Sequence, residues 1–303
     1  MSIRLAAAIA GLGLSLASAG AGVLNDYNLI VLSNLDSNSE VEGRAYVGGS
    51  IVGGDSSNYG TMLFPRSAYA DVDVLTVVGS ISSGNPLQIE AGDLRLGGSL
   101  GRLVNFNGAG GNLENDPGVG STLAGVSAAL AGASASMLTL TADSTASLPG
   151  PQPGPLVFNC NPGGDGVAVF SVSGSQVFSN SLVQQIELNL NGASAVVINV
   201  SGTSINFNQG NMVGAWNTAF ARANVIWNFH EATNILIDRA MNGAVLAPLA
   251  HLRNNTVIEG STFVSSMFQR GEVHLPGYTG YVPTPGAAGV LALAGVVAGR
   301  RRR

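Results

Sequence analysis

The chain reads as a succession of short, one-sided strands. Between Val41 and Ile51, the residues Val41, Gly43, Ala45, Val47, Gly49 and Ile51 alternate with Glu42, Arg44, Tyr46 and Ser50. A period of two with apolar residues on one side predicts a half-buried strand. The pattern returns at Leu87, Ile89 and Ala91 against Gln88 and Glu90, and at Leu94, Leu96 and Leu100 against Asp93, Arg95 and Ser99. It resumes at Ile186, Leu188 and Leu190 against Gln185, Glu187 and Asn189. Further strands are predicted at 196–200, 205–207, 225–229, 235–237, 243–248 and 257–264.

A short unit recurs among these strands: Val47-Gly48-Gly49-Ser50-Ile51, Val78-Gly79-Ser80-Ile81 and Leu96-Gly97-Gly98-Ser99-Leu100. Strand-plus-glycine units recurring every ~20–30 residues suggest stacked coils in which glycine permits the corner. Residues 121–144 break the rhythm. Leu123, Val126, Leu130 and Met137 fall near helical spacing in an Ala-rich, proline-free stretch, which predicts one inserted helix. The proline-rich run from Leu148 to Pro155 that follows can be neither helix nor central strand, and is read as an exposed connector.

Both ends stand apart. Arg4, an apolar run from Leu5 to Leu16 and the small residues Ala17-Ser18-Ala19 predict a secretory signal peptide over 1–19, cut after Ala19. At the other end, Val282-Pro283-Thr284-Pro285 precedes an apolar run from Gly286 to Gly299 and then Arg300-Arg301-Arg302-Arg303. A helix over that run would reach only about 21 Å, short of the roughly 30 Å of a hydrocarbon core. The arginines would hold the terminus on the cytoplasmic side. The segment 282–303 resembles the PEP-CTERM sorting signal that exosortases of Gram-negative bacteria process, with Thr284 where that signal carries Glu. The resemblance implies an exosortase-type processing enzyme as partner, transient inner-membrane anchoring by the tail, and an extracellular or cell-surface destination.

Composition narrows the function. All 13 basic residues are arginine, and outside the two ends eight of them face 18 acids, which disfavours nucleic-acid partners. Cys160 is the only cysteine, so no intramolecular disulfide can form; it is expected to be a small buried residue. With 42 glycines, 6% aromatic and 10% charged residues, the balance suits short strands and tight turns more than an enzyme.

The order Asn25-Asp26-Tyr27-Asn28-Leu29-Ile30-Val31-Leu32, then Val41-Glu42-Gly43-Arg44-Ala45-Tyr46-Val47-Gly48-Gly49, resembles the opening of the choice-of-anchor A family, an adhesive module of bacterial surface proteins. Trp227-Asn228-Phe229 with Ala232-Thr233, Gly243 to Pro248 with Ala250, Glu259-Gly260-Ser261 and Gly271-Glu272-Val273-His274 resemble its closing half. The resemblance spans about residues 24–276. It implies one mainly β, right-handed β-solenoid of ice-binding-like architecture with the helix inserted near 121–144. It implies surface adhesion to polysaccharide or matrix protein, and no reaction.

Candidate chemistry is sparse. Gly97-Gly98-Ser99-Leu100-Gly101 matches a nucleophile elbow, but that motif needs a helix after the serine. Leu103 to Phe106 reads as strand, and Ser50 and Ser80 share the serine's setting, so a repeated corner is expected instead. His230, His251 and His274 lack metal-ligand spacing, and Glu272 with His274 supplies only two ligands on one face. Asp36-Ser37-Asn38-Ser39-Glu40 alternates oxygens as calcium loops do, without the glycine and the closing glutamate. Asp71 and Asp73 share a strand face. Solvated surface is expected for both, so no cofactor and no catalytic or metal residue is assigned, with calcium the one ion these carboxylates could take. Alternative readings are ice binding, for which Thr139-Leu140-Thr141 is the only closely alternating pair, and a polysaccharide-processing β-helix enzyme, for which clustered carboxylates with basic partners are missing.

Overall fold

The computed structural model describes residues 22–282. They form a mainly β body with parallel sheets and few helices. The predicted strand 41–51 is instead three strands: Glu40–Val41, Ala45–Val47 and Ile51–Val52. The chain turns between them, yet Val41, Ala45, Val47 and Ile51 all remain in one buried cluster. A corner redirects the strand without exchanging its inner and outer sides, which is why the alternation survives.

Each turn of chain lays one segment on each of three walls, and the next turn stacks on it in parallel. The first wall carries Leu29–Val31, Ala45–Val47, Asp73–Val77, Asp93–Leu96 and Leu113–Asn115 in that order. The second begins with Leu35–Ser37 and Ile51–Val52, continued by single bridges from Ile51 to Ile81 and from Ile81 to Leu100. The third carries Glu40–Val41, Asn58–Tyr59, Leu87–Ile89 and Val104–Phe106. Among the described residues the one antiparallel pair is Thr145–Ser147 on Gly154–Asn159, in a separate four-stranded sheet.

The course of the chain then reverses. From Leu113–Asn115 a helix carries it back along the first wall. A second arm winds from Val167–Ser173 through Ala195–Ser201, Val225–Asn228 and Ala244–Asn254 to Thr262–Gln269. The last turn stacks on the first: Leu29, Ile30 and Val31 pair with Thr262, Phe263 and Val264 on one side and with Ala45, Tyr46 and Val47 on the other. Buried Asn28 clamps this seam. Its Nδ2 donates to the His274 carbonyl at 2.9 Å, and its Oδ1 accepts from the Gly43 N–H at 3.1 Å.

The recurring glycine-serine unit is a stacked corner. Ser80 N donates to Ser50 Oγ at 3.0 Å, and Ser99 N to Ser80 Oγ at 3.0 Å. Gly79 N donates to the Gly49 carbonyl at 2.7 Å, and Gly98 N to the Gly79 carbonyl at 2.9 Å. A Cβ on Gly98 would sit 2.5 Å from Ser80 Oγ and 2.6 Å from the Gly79 carbonyl oxygen. Glycine is required there because neighbouring turns close to within backbone contact.

The inserted helix is shorter than predicted. A 3-10 segment covers Pro117–Thr122, and the α-helix spans Leu123–Leu138 rather than continuing to 144. The sheet captures the chain first. Asp143 N and Ser144 N both donate to the Val169 carbonyl at 3.1 Å, and Asp143 Oδ1 accepts from Val169 N at 2.8 Å. Thr139-Leu140-Thr141 therefore lies outside the helix.

Val126, Leu130, Ala133 and Met137 form the helix's buried stripe. Sixteen residues extend about 24 Å. Five strand steps, from Ala45–Val47 to Ala195–Ser201, also span about 24 Å. Both ends are pinned accordingly: Tyr46 Oη lies 2.9 Å from Thr122 Oγ1, and Asn199 Nδ2 donates to the Met137 carbonyl at 2.9 Å.

The interior differs between the arms. The first is filled by Val, Leu and Ile, the second by aromatics, with Trp216 stacked on Trp227 at 5.1 Å and Phe158 edge-on to both. Pro155 does enter a strand, Gly154–Asn159, but at a register shift. Pro248 lies within a second such shift, between Ala247 and His251. Proline is confined to such irregularities because it cannot donate to the ladder.

Candidate binding surface

The helix covers the first wall, so the second and third walls are the broad faces open to solvent. On the second wall the stacked corner is one part of a longer polar column. Ser50 N donates to Asn34 Oδ1 at 2.9 Å, which carries the serine ladder to the first turn. Across the seam, Met267 N donates to the Asn34 carbonyl at 3.1 Å, bringing Ser266 alongside. Ser266 Oγ lies 2.8 Å from His251 Nδ1. His251 pairs in register with Asn234, and Asn234 with Ser204. Hydroxyls, amides and one imidazole thus recur at the strand spacing of about 4.8 Å along the wall.

Two residues further along each strand runs a second column: Asn206, Leu236, Arg253, Phe268, Asp36 and Val52. The Phe268 ring lies between two guanidinium groups, Arg253 at 5.0 Å and Arg270 at 3.4 Å from its centroid. Arg270 Nη2 also meets Asp36 Oδ1 at 3.0 Å.

The third wall is acidic. Glu42, Glu259 and Glu272 converge on His274, and Glu40 lies beside Glu272. His274 Nε2 lies 2.6 Å from Glu272 and 3.9 Å from Glu42, and its Nδ1 lies 3.3 Å from Glu259. Burial opposes the charged ring, but the hydrogen bond to Glu272 and the charges of Glu42 and Glu259 outweigh it, so the His274 pKa lies above the ordinary imidazole value. Burial, then the neighbouring Glu272, raises the Glu40 carboxyl. Arg222 offsets part of this negative charge at 2.9 Å from Glu259. Among the described residues, no group of three or more His, Cys, Asp and Glu side chains is arranged to hold a metal ion.

The residues singled out from sequence are scattered. Ser99 Oγ donates to Ser80 Oγ at 3.1 Å inside the corner column. Asp36 is engaged by Arg270 and Asp73 by Arg95, each at about 3 Å, while Asp71 stands exposed. His230 lies in a turn, away from both His251 and His274 in the strand ladder. Cys160 is 3% exposed, and burial pushes its thiol up to about 12. Val282 packs against the hydrophobic cluster beneath the helix. Ala17, Ala19, Pro283, Thr284, Pro285 and Arg300 to Arg303 lie outside the described residues.

Sequence reasoning missed Arg253, Phe268 and Asn234. A signal existed: Leu249, His251 and Arg253 alternate with Ala250, Leu252 and Asn254, which places the histidine and the arginine on one outer face.

A family model described as "Putative Ice-binding-like adhesive domain" matches residues 20–275. A comparison with curated proteins gave no match. Two solved structures are similar in part. One is an ice-binding protein from the Antarctic ascomycete Antarctomyces psychrotrophicus, at 15% identity and TM-score 0.34, covering 84% of this chain and 97% of that one. The other is a glycosylated ice-binding protein from an Arctic yeast, at 11% identity and TM-score 0.37, covering 88% and 95%.

Proposed function

We propose, because the chain belongs to the ice-binding-like adhesive domain family, that it is a secreted, non-enzymatic adhesive protein of the bacterial surface or extracellular matrix. Its body is a right-handed β-solenoid rod, the hand expected of parallel strands joined by crossovers. The terminal segments serve delivery. The signal peptide is removed after Ala19, and the tail from Val282 to Arg303 holds the chain briefly in the inner membrane for an exosortase-type enzyme.

The observation that carries this reading is the column from Ser99 through Asn34 and His251 to Ser204. It is a long, regular series of polar groups set by strand pairing and side-chain hydrogen bonds. Contacts there are individually weak and add up along a long partner. Such a surface suits a polysaccharide or an extended matrix protein.

Two experiments test the reading. Fractionation of a native host carrying the tagged chain should find it outside the cytoplasm, and a wholly cytoplasmic pool would refute it. Pull-down of surface polysaccharide or matrix protein, with and without calcium, should retain a partner, and new unsaturated sugar products would instead indicate a lyase. The regular spacing of the column also favours one second reading, binding to ice; thermal hysteresis by the purified protein would establish it in place of adhesion.

A further inference from the structure

The second wall carries one exposed guanidinium whose terminal nitrogens have no partner among the described residues. Among the described residues there are eight arginines, and seven direct side-chain nitrogens to carboxylates or backbone carbonyls. Arg95, Arg222 and Arg270 meet acids, Arg66 meets Glu90 and the Asn107 carbonyl, and Arg102 is enclosed by carbonyls. Arg44 donates to the Asp73 carbonyl and Arg239 to that of Asn208. Arg253 is different. Its Nε donates to Asn255 Oδ1 at 2.9 Å, while among the described residues its two terminal nitrogens make no hydrogen bond and no ion pair. The terminal nitrogens of Arg44 are likewise free, but that guanidinium is half-buried over the Tyr27 ring, whereas Arg253 is exposed.

This fork is also held in place. Arg253 stands exposed on the strand Ala244–Asn254, over the Phe268 ring, with its stem beside Leu236 in the neighbouring strand. It borders a shallow groove whose other polar lining is Ser204, Asn206, Asn234 and His251. The exposed part of Leu236 contributes an apolar strip to the groove.

We infer that this groove is a subsite for a carboxylate-bearing sugar, and that the partner of the adhesive face is a uronate-containing polysaccharide. The inference rests on the adhesive reading above and names its ligand class. A guanidinium fork with both terminal nitrogens free matches a carboxylate bidentately. Asn206, Asn234 and Ser204 offer donors and acceptors for hydroxyls one strand step apart, and Leu236 suits the apolar face of a sugar ring. An acidic peptide fits less well. Extended peptides bind by adding to an open sheet edge, whereas Asn234–Ile237 and Ala244–Asn254 are paired on both sides, and Ser204–Phe207, paired on one side, packs against the short helix Gly174–Phe178. Only side chains are left to read the ligand.

Titration calorimetry of the purified full chain with oligogalacturonate, its fully methyl-esterified form, a neutral glucan and a poly-glutamate peptide tests this. The acid form should bind and the ester should bind at least about tenfold more weakly. Arg253→Gln should lose a similar factor for the acid form alone, with an unchanged melting temperature. Arg66→Gln, at the far end of the first arm, should bind as the parent does. Equal binding of acid and ester, or of the peptide and the sugar, would overturn the uronate assignment while leaving adhesion standing. Binding of the neutral glucan alone would do the same. Failure of every polysaccharide and of whole cell-surface extract would refute both readings.

Discussion

Asn228 and Ser134, 94 residues apart, are locked to each other: Ser134 Oγ donates to Asn228 Oδ1 at 2.6 Å, and Asn228 Nδ2 donates to the Ser134 carbonyl at 2.9 Å. Asn228 Nδ2 also reaches Asn199 Oδ1 at 2.8 Å, and Asn199 in turn holds the Met137 carbonyl. All three polar side chains are buried, at 0% exposure for Asn228. Apolar contact alone would let the helix slide along the wall, and this network fixes its position. Asn228→Ala should therefore cost about 1–3 kcal/mol in urea unfolding, because the partner groups remain buried without replacement. A loss within a few tenths of a kcal/mol would show that the network does not hold the helix.

Two glycine substitutions should act with opposite sign. Gly98→Ala forces a Cβ against Ser80 Oγ and the Gly79 carbonyl of the turn below. It should destabilise by about 1–3 kcal/mol. Gly125 lies in the helix with nothing within 4 Å of its would-be Cβ. Gly125→Ala should stabilise by roughly 0.5–1 kcal/mol. Thermal melts of both variants, read against the parent, check the pair.

The acidic wall makes stability depend on pH through His274. Its folded pKa is raised, so its contribution is complete below the ordinary value of about 6.5 and is lost as pH rises through the folded value. Melting temperature should fall across that window, and His274→Gln should remove the fall. Glu40 has the same sign at lower pH, since its raised carboxyl favours the protonated form and ionisation above the ordinary carboxylate range works against the fold. Glu40→Gln should thus raise stability above about pH 5. Melts taken from about pH 4 to 9 separate the two.

Cys160 should be silent in the native protein. Its thiol is buried and its pKa is pushed up to about 12, so almost no thiolate forms near neutral pH. A disulfide-exchange reagent should label it only after urea is added. Rapid labelling without denaturant would contradict the packing described for the second arm.

Much of the architecture was legible because strand alternation and stacked glycines are local signals. Val47-Gly48-Gly49-Ser50 and its two repeats announced the corners, and Leu87, Ile89, Leu94 and Leu96 announced the interior. The helix boundary was not legible, because nothing in Thr139-Leu140-Thr141 stops a helix. What stops it is Val169, a partner supplied by another part of the sheet. The candidate binding face was hidden for the same reason. Asn34, Ser266 and His251 come together only where the first and last turns meet, and no spacing in the sequence encodes that register.

That meeting point has a kinetic meaning. Each arm can extend by adding neighbours, but the seam between them joins Asn28 to His274 across 246 residues. Closing so long a loop is entropically slow, and it needs the final strand before it can begin. The first turn must therefore wait with one edge unpaired until the end of the chain is available. Completion of the fold becomes a late, single event, and a chain that lost its last strands would be left as two unjoined halves with an open edge at the centre.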